Sequence, residues 1–285
     1  TPPGRRVLAG AFSTVASSFT RFDVSIRDLG GTLPFHPRIG VLEISDEDGV
    51  FVTVRDVDVA CDAAALAHGA LHLPSLTVAE VKVLRAPVSH GLRRWWRLPF
   101  AVESPPRWLQ ADKITVLSIA LGSGLAGEPV RLRADGNAGP LEGNRWRLHL
   151  SCAEVAGNPL VALVEAEYAK EYFAVSFDVT DGAKLPAHLE GVEKVRFTLH
   201  GKGTAALWLA AADVQINDAP LLHTAFAADV TGPLALTGTL GLDTAHPLLP
   251  EKFRPLLGKT PTLTFQCAFD RGEPWTFQQL DAHLP

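Results

Sequence analysis

Residues 49–60, GVFVTVRDVDVA, carry the pattern from which the fold class is predicted. Its first valines alternate with other residue types, as in a β-strand that presents one apolar face. Asp56 interrupts this alternation, and two further valines resume it in a shifted phase. The pattern therefore predicts a strand, a break and a second strand. Residues 71–84, LHLPSLTVAEVKVL, show the same arrangement.

Alternation of this kind continues along the whole chain, and turn-forming dipeptides separate the runs. Asp48-Gly49, Asp135-Gly136, Asp181-Gly182 and Arg271-Gly272 supply residues suited to tight hairpins. Many short strands at regular spacing are typical of an antiparallel meander. The sequence therefore predicts a mostly β fold.

Helical patterns are few. Residues 5–19 place Leu8, Phe12 and Val15 on one face of an amphipathic helix. Residues 62–67 and 246–257 are each long enough for short helical turns, and prolines limit the second. We expect a leading helix followed by a sheet with short helical connections.

Composition excludes several classes of protein. Hydrophobic residues make up 47% of the 285 residues, which argues against disorder, and the net charge of −5 argues against nucleic-acid binding. No run of about 18 apolar residues predicts a transmembrane helix. Cys61, Cys152 and Cys267 lie too far apart for a zinc motif, so we expect small buried residues.

Motifs that suggest chemistry lack the required context. Residues 122–127, GSGLAG, match a dinucleotide fingerprint, but Glu128-Pro129 leads into another strand instead of a helix, so a Gly-rich turn is expected. His68 and His72 have a metal-ligand spacing, yet Gly69 between them favours solvent-facing turn histidines. No nucleophile motif occurs. We expect no enzyme activity, metal or cofactor.

Residues 90–100, HGLRRWWRLPF, combine arginines with tryptophans. Tryptophan favours the membrane interface and arginine favours anionic headgroups, so this segment is a candidate membrane contact. A hairpin loop whose tryptophans pack on the protein explains the same pattern. The candidate membrane-interface residues are Arg93, Arg94, Trp95, Trp96 and Arg97.

Residues 28–87 carry a more specific pattern. A G-x-L strand is followed by an I-x-x-L-x-I-x-D-x-D-G hairpin, a V-x-V-x-D strand, a D-x-x-A-L-x-x-G turn and a closing L-x-V-x-x-V-x-V-L-R-x-P. TPPGR and a predicted amphipathic helix precede it, as they follow the signal anchor in the family that this stretch resembles. The stretch resembles the N-terminal periplasmic region of the TamB family of AsmA-like, bridge-like lipid transfer proteins.

The resemblance implies an elongated, curled antiparallel β-sheet, an open groove that is apolar inside. It implies an N-terminal amphipathic helix over residues 1–20 after a missing membrane anchor, a first β-groove unit over 21–100, and continuing β-groove units over 101–285. Family members are anchored in the bacterial inner membrane and cross the periplasm. They are linked to phospholipid transport between the membranes and to outer-membrane protein assembly, with a TamA-like outer-membrane partner that meets a C-terminal part missing here.

On this interpretation, phospholipids are the ligands and the apolar members of the strands line the groove. The predicted lining residues are Val50, Val52, Val54, Val57, Val59, Leu71, Leu73, Leu76, Val78, Val81, Val83, Ile114, Val116, Leu132, Leu148, Leu150, Phe173, Val175, Phe177, Phe197, Leu199, Leu236, Leu240 and Phe265.

Alternation alone leaves other folds and functions open. A closed sandwich or barrel uses the same residues as an ordinary core. A scaffold that binds nascent outer-membrane β-strand proteins by strand addition is a second function, and an enzyme on a β scaffold is a third.

Overall fold

The computed structural model describes residues 22–85, 109–122, 130–142, 145–155, 161–169, 172–181, 191–231, 234–269 and 276–284. The strands are β1 (Asp23–Thr32), β2 (His36–Asp46), β3 (Gly49–Ala60), β4 (Leu71–Leu73), β5 (Ser75–Val83), β6 (Leu109–Leu121), β7 (Val130–Leu141), β8 (Arg145–Glu154), β9 (Val161–Ala169), β10 (Tyr172–Asp181), β11 (Val195–Gly203), β12 (Trp208–Ile216), β13 (Ala219–Asp229), β14 (Leu234–Leu242), β15 (Thr262–Phe269) and β16 (Thr276–His283). The helices are α1 (Ala63–Ala67), a 3₁₀ turn (Glu251–Phe253) and α2 (Arg254–Leu257).

All sixteen described strands belong to one hydrogen-bonded sheet. Their order follows the sequence from β1 to β16, except that β4 pairs beside β5 on β6. Among the described residues β1 and β16 do not pair with each other, so the sheet is open. The prediction of a mostly β, open sheet is confirmed, and the closed sandwich or barrel is wrong.

The antiparallel meander predicted from the turn signals has one exception. Both β4 and β5 run parallel to β6, with Leu73 opposite Ala111 and Val78 opposite Val116. Parallel neighbours need a crossover of a dozen or more residues. Here residues 84–108 connect them, the longest interval between consecutive strands, in place of a hairpin turn.

The chain divides into two compact units. The N-terminal unit comprises residues 1–93, 106–142 and 148–157, and the C-terminal unit comprises 94–105, 143–147 and 158–285. Strand β8 contributes to both.

The short helices lie where the sequence predicts them. Asp62 caps α1 by accepting hydrogen bonds from the backbone N–H groups of Ala64 and Ala65, at 2.8 and 3.4 Å. The 3₁₀ turn and α2 fall within the predicted interval 246–257. The predicted helix over residues 5–19 lies outside the described residues.

The turn predictions are partly correct. Gly49 adopts a φ of 101° in the β2–β3 hairpin, as Asp48-Gly49 predicts. Asp135-Gly136 is wrong as a turn, because β7 runs straight through it. Residues 182 and 271–272 lie outside the described residues. The turn that the sequence reasoning missed is Asn217-Asp218, where both residues have positive φ, of 52° and 63°.

Candidate functional site: an apolar sheet face in each unit

The N-terminal unit carries rows of aliphatic residues that cross six neighbouring strands, β1, β2, β3, β5, β6 and β7. Residues directly opposite one another in a sheet present their side chains on the same face. The rows, in strand order, are Val24–Ile44–Val52–Val83–Leu121–Val130, Ile26–Leu42–Val54–Val81–Ile119–Leu132 and Leu29–Ile39–Val57–Val78–Val116–Ala134. A shorter fourth row is Val59–Leu76–Ile114–Gly136. The four rows together form the N-terminal apolar face.

The opposite face of the same strands is polar. Thr53 is opposite Glu43 and Lys82 there. Arg27 donates to Glu43 across 2.7 Å, and Arg38 to Asp58 across 2.5 Å. The sheet of this unit is therefore amphipathic through its thickness, with one side suited to water and the other to apolar groups.

A shared irregularity keeps the rows in register. In β1, β2, β3, β5 and β6 the second and third apolar rows are three residues apart instead of two. Asp28 and Asp56 occupy this step with φ of 57° and 50°, a left-handed conformation that aspartate tolerates better than most residues. Gly40 lies between them, where a Cβ would approach that of Asp28 to 2.7 Å. The phase shift predicted at Asp56 is thus confirmed, and it extends to four more strands. The predicted break there is wrong, because β3 continues through Asp56 as one strand.

The C-terminal unit has an apolar face of its own, across β9 to β15 and part of β16. Its rows are Val164–Phe177–Leu199–Ala212–Thr224–Leu240–Leu263–Ala282, Ala166–Val175–Gly201–Ala210–Phe226–Gly238–Phe265–Leu280 and Tyr168–Phe173–Gly203–Trp208–Ala228–Leu236–Cys267. These residues form the C-terminal apolar face. It mixes aromatic rings with glycine and alanine.

Large side chains lie over small ones on this face. A Cβ built on Gly201 would lie 2.1 Å from Cζ2 of Trp208, so the indole occupies the space that another residue would fill. The indole Nε1 also donates to the carbonyl oxygen of Phe173, at 3.3 Å. Phe226 lies against Gly238 through its Cα and Cβ atoms. The indole of Trp208 is thus positioned by contacts with backbone on neighbouring strands.

In the described part of the chain, neither face is covered as a protein core would be. Among the described residues no large side chain is less than 2% exposed, and the buried apolar residues are mainly alanines and valines. Val54 and Val81, at the centre of the N-terminal face, are only partly buried. Both faces therefore leave apolar surface available to a ligand.

Most predicted lining residues lie in these rows or next to them. Leu71 and Leu73 join the N-terminal face through their partners Leu109 and Ala111 in β6. Leu150 of β8 lies beside Gly136. Val50 is the exception, because it lies opposite Ser45 beyond a register shift and so does not continue the row of Val52.

The sequence reasoning missed other members of the faces. It omitted all of β1 and β2, whose apolar residues continue the same rows. Leu207 and Leu209 alternate in the sequence, but both are more than half exposed, and Trp208 and Ala210 hold the apolar positions. The candidate membrane-interface residues Arg93, Arg94, Trp95, Trp96 and Arg97 lie outside the described residues.

A charged cluster lies on the polar side of the N-terminal unit. His72 of β4 contacts Asp62 through Nδ1 at 3.2 Å and Asp112 through Nε2 at 2.7 Å. Hydrogen bonds to Asp112 and then Asp62 raise the pKa of His72. The pKa of Asp62 is lowered, mainly by His72, and that of Asp112 is lowered by Gln110 and then His72.

This cluster corrects the expectation of a solvent-facing turn histidine at position 72. Ionised carboxylates only accept hydrogen bonds, so the protonated imidazole, which donates from both ring nitrogens, is the form that satisfies both contacts. The cluster ties the capping residue of α1 to β6. No group of three potential metal ligands with suitable geometry occurs in the described part of the chain.

Comparison with known proteins adds no relative: no family model, no curated protein and no solved structure matches the chain. Within the described ranges, the helices are too short and too polar to span a bilayer.

Proposed function

We propose that this chain binds the acyl chains of phospholipids on its apolar sheet faces and lets them move from strand to strand along the apolar rows. The observation that carries the proposal is the set of aliphatic rows that cross six strands of the N-terminal unit without a polar interruption. The resemblance of residues 28–87 to the TamB family supports the same function.

The energetics favour a ligand with a long apolar tail. An acyl chain in water exposes apolar surface at a cost of about 25 cal/mol per Å². Neighbouring strands are about 4.8 Å apart, so the rows present equivalent positions at short intervals. Since aliphatic contacts are non-directional, a tail that leaves one position gains the same contacts at the next. Such a face holds a lipid without fixing it.

The proposed role is binding and not catalysis. It places the chain in the periplasm, held to the bacterial inner membrane in the full-length protein, with phospholipid movement towards the outer membrane and support of outer-membrane protein assembly as its task. A TamA-like outer-membrane protein is the proposed partner of the full-length protein. These assignments rest on the resemblance of residues 28–87.

Paired acidic substitutions on the two faces of the N-terminal sheet test the proposal. Val54→Asp with Val81→Asp places two charges side by side in the second apolar row, because these residues are cross-strand partners. Thr53→Asp with Thr77→Asp adds the same charge to the polar face of the same strands. Purified proteins are compared for co-purifying phospholipid and for uptake of a fluorescent phospholipid.

We expect the apolar-face variant to lose at least about tenfold in lipid uptake, because each carboxylate must be desolvated to hold a tail. The polar-face variant should bind as the wild type does. Equal uptake by both variants, or a wild type that takes up no lipid, contradicts the proposal. Circular dichroism is used to check that both variants retain the β-sheet.

A further inference from the structure

The connection between β14 and β15, residues 243–261, has an inverted polarity. Thr244 and His246 are buried, at 5% and 3% exposure, whereas Phe253 and Leu256 are 43% and 70% exposed. Proteins ordinarily bury the large apolar residue and expose the polar one, so buried polar groups together with exposed large apolar groups are informative. Of the large hydrophobic side chains described, Leu256 is the most exposed.

The buried polar residues fix the shape of this connection. The hydroxyl of Thr244 lies 2.9 Å from the carbonyl oxygens of both Gly258 and Lys259, which closes the base of the connection. His246 donates from Nε2 to the carbonyl oxygen of Ile216, at 3.2 Å, and its Nδ1 accepts from the N–H of Leu248. The connection is thereby held against the end of β12, and the 3₁₀ turn and α2 form its outer part.

Cationic residues surround the exposed apolar pair. Residues 251–259 contain Lys252, Arg254 and Lys259 against one acid, in a chain whose net charge is −5. The ammonium group of Lys252 lies 5.1 Å from the centre of the Phe253 ring. A local excess of positive charge beside exposed apolar groups is the pattern of a segment that rests in a membrane interface.

We propose that residues 247–259, the membrane tip, dock on the surface of a bilayer that contains anionic lipid. Phe253 and Leu256 enter the boundary between headgroups and acyl chains, and Lys252 and Lys259 contact lipid phosphates. Two exposed side chains cover far less than the roughly 1,000 Å² that a specific protein interface needs. On a bilayer their insertion adds to the attraction between the lysines and anionic lipid, and the two contributions together set the affinity. The inference is independent of lipid binding on the sheet faces.

Vesicle flotation tests the tip. The purified chain is mixed with vesicles of equal parts phosphatidylglycerol and phosphatidylcholine, or of phosphatidylcholine alone. The test variants are Phe253→Ser with Leu256→Ser, and Lys252→Gln with Lys259→Gln. The control is Leu207→Ser with Leu209→Ser, since both residues are more than half exposed elsewhere in the same unit and lie outside the apolar rows. All are made with Trp95→Ser and Trp96→Ser, so that the other candidate membrane segment does not mask the result.

We expect the apolar tip variant to partition about tenfold less into anionic vesicles than the control does. The lysine variant should lose its preference for phosphatidylglycerol. Equal partitioning of the tip and control variants into vesicles overturns the inference. Sedimentation that shows the tip binding a second copy of the chain, without binding to vesicles, also overturns it. Tip variants should still take up fluorescent phospholipid, whereas the Val54→Asp and Val81→Asp pair should still float with vesicles, so the two proposals fail separately.

Discussion

The two units build an apolar face in different ways. The N-terminal face consists almost wholly of valine, isoleucine and leucine, and a three-residue step shared by five strands keeps its rows aligned. The C-terminal face mixes aromatic residues with glycine and alanine, and it sets the ring of Trp208 over Gly201. Its first strands pair in unbroken two-residue register.

The difference indicates how each unit distributes the free energy of burial over its residues. Aliphatic rows spread the free energy of burial over many similar side chains, so each contributes little. Ring-over-glycine contacts concentrate it in a few residues, because an indole or phenyl ring buries far more area than a valine does. The N-terminal face is therefore expected to tolerate single changes better than the C-terminal face.

The largest expected effect is that of Trp208→Ala. It removes the ring over Gly201 and the hydrogen bond to the Phe173 carbonyl, and should lower the free energy of unfolding by about 3 kcal/mol. Val54→Ala on the other face should cost about 1 kcal/mol. Urea unfolding gives the totals, and hydrogen exchange localises them by unit. Similar losses for the two variants would mean that the faces are not built differently.

A smaller loss is expected for Gly201→Ala. Its new Cβ meets the indole of Trp208, and the overpacking should cost about 1–3 kcal/mol. Gly30→Ala in β1 is the matched change in the N-terminal unit, since a Cβ there meets nothing within 4 Å. Gly30→Ala should be neutral or stabilising by up to about 1 kcal/mol. Thermal unfolding of both variants checks the contrast, which a destabilised Gly30→Ala would refute.

The shared step of the N-terminal unit can be tested at Asp56. Valine is poorly suited to its left-handed backbone, so Asp56→Val should cost about 1–2 kcal/mol, whereas Asp56→Gly should cost nothing or stabilise. Arg55→Val is the control, because Arg55 lies in the regular ladder opposite Val41. Urea unfolding measures all three. An Asp56→Val variant as stable as the control would show that the step is not fixed by this residue.

The smallest expected effect is a dependence of stability on pH, which we expect in the N-terminal unit because of His72. The pKa of folded His72 is raised above its ordinary 6.5, so its contribution is complete below pH 6.5 and is lost as pH rises through the folded pKa. The pKa values of Asp62 and Asp112 are lowered below 3.8, so their contributions are lost as pH falls through the folded values. The cluster therefore stabilises the N-terminal unit most between about pH 4 and 6.5.

His72→Gln should flatten the stability of the N-terminal unit across the neutral and mildly alkaline range. The measurement is urea unfolding at several pH values, with hydrogen exchange to assign the change to that unit. The C-terminal unit offers a comparison, because Nε2 of His246 donates to a backbone carbonyl and its Nδ1 accepts from a backbone N–H. A wild type whose N-terminal stability does not decline above pH 6.5 would contradict the assignment.

Period-two alternation predicts the strands, the β class and most of the apolar rows, because it records directly which side chains share a face. The open sheet is expected only from the resemblance to the TamB family. Sequence does not predict the features that depend on which strands pair. The parallel placement of β5 against β6 is a pairing across the long connection 84–108, which local alternation does not reveal. Asp135-Gly136 resembles a hairpin turn locally, but β6 and the residues of β8 beside Gly136 hold it extended. The exposed pair Phe253 and Leu256 resembles core-forming residues in sequence, and only the buried Thr244 and His246 show its orientation.

The shared three-residue step has a consequence for how such a chain can change in evolution. Loss of one residue from a regular strand turns every later side chain of that strand to the other surface. Loss of Asp56 would instead leave β3 in plain alternation while its neighbours keep their longer step. Insertions and deletions in these strands should therefore survive only in pairs, or when adjacent strands change together. Other changes of length should accumulate in the connections between the strands.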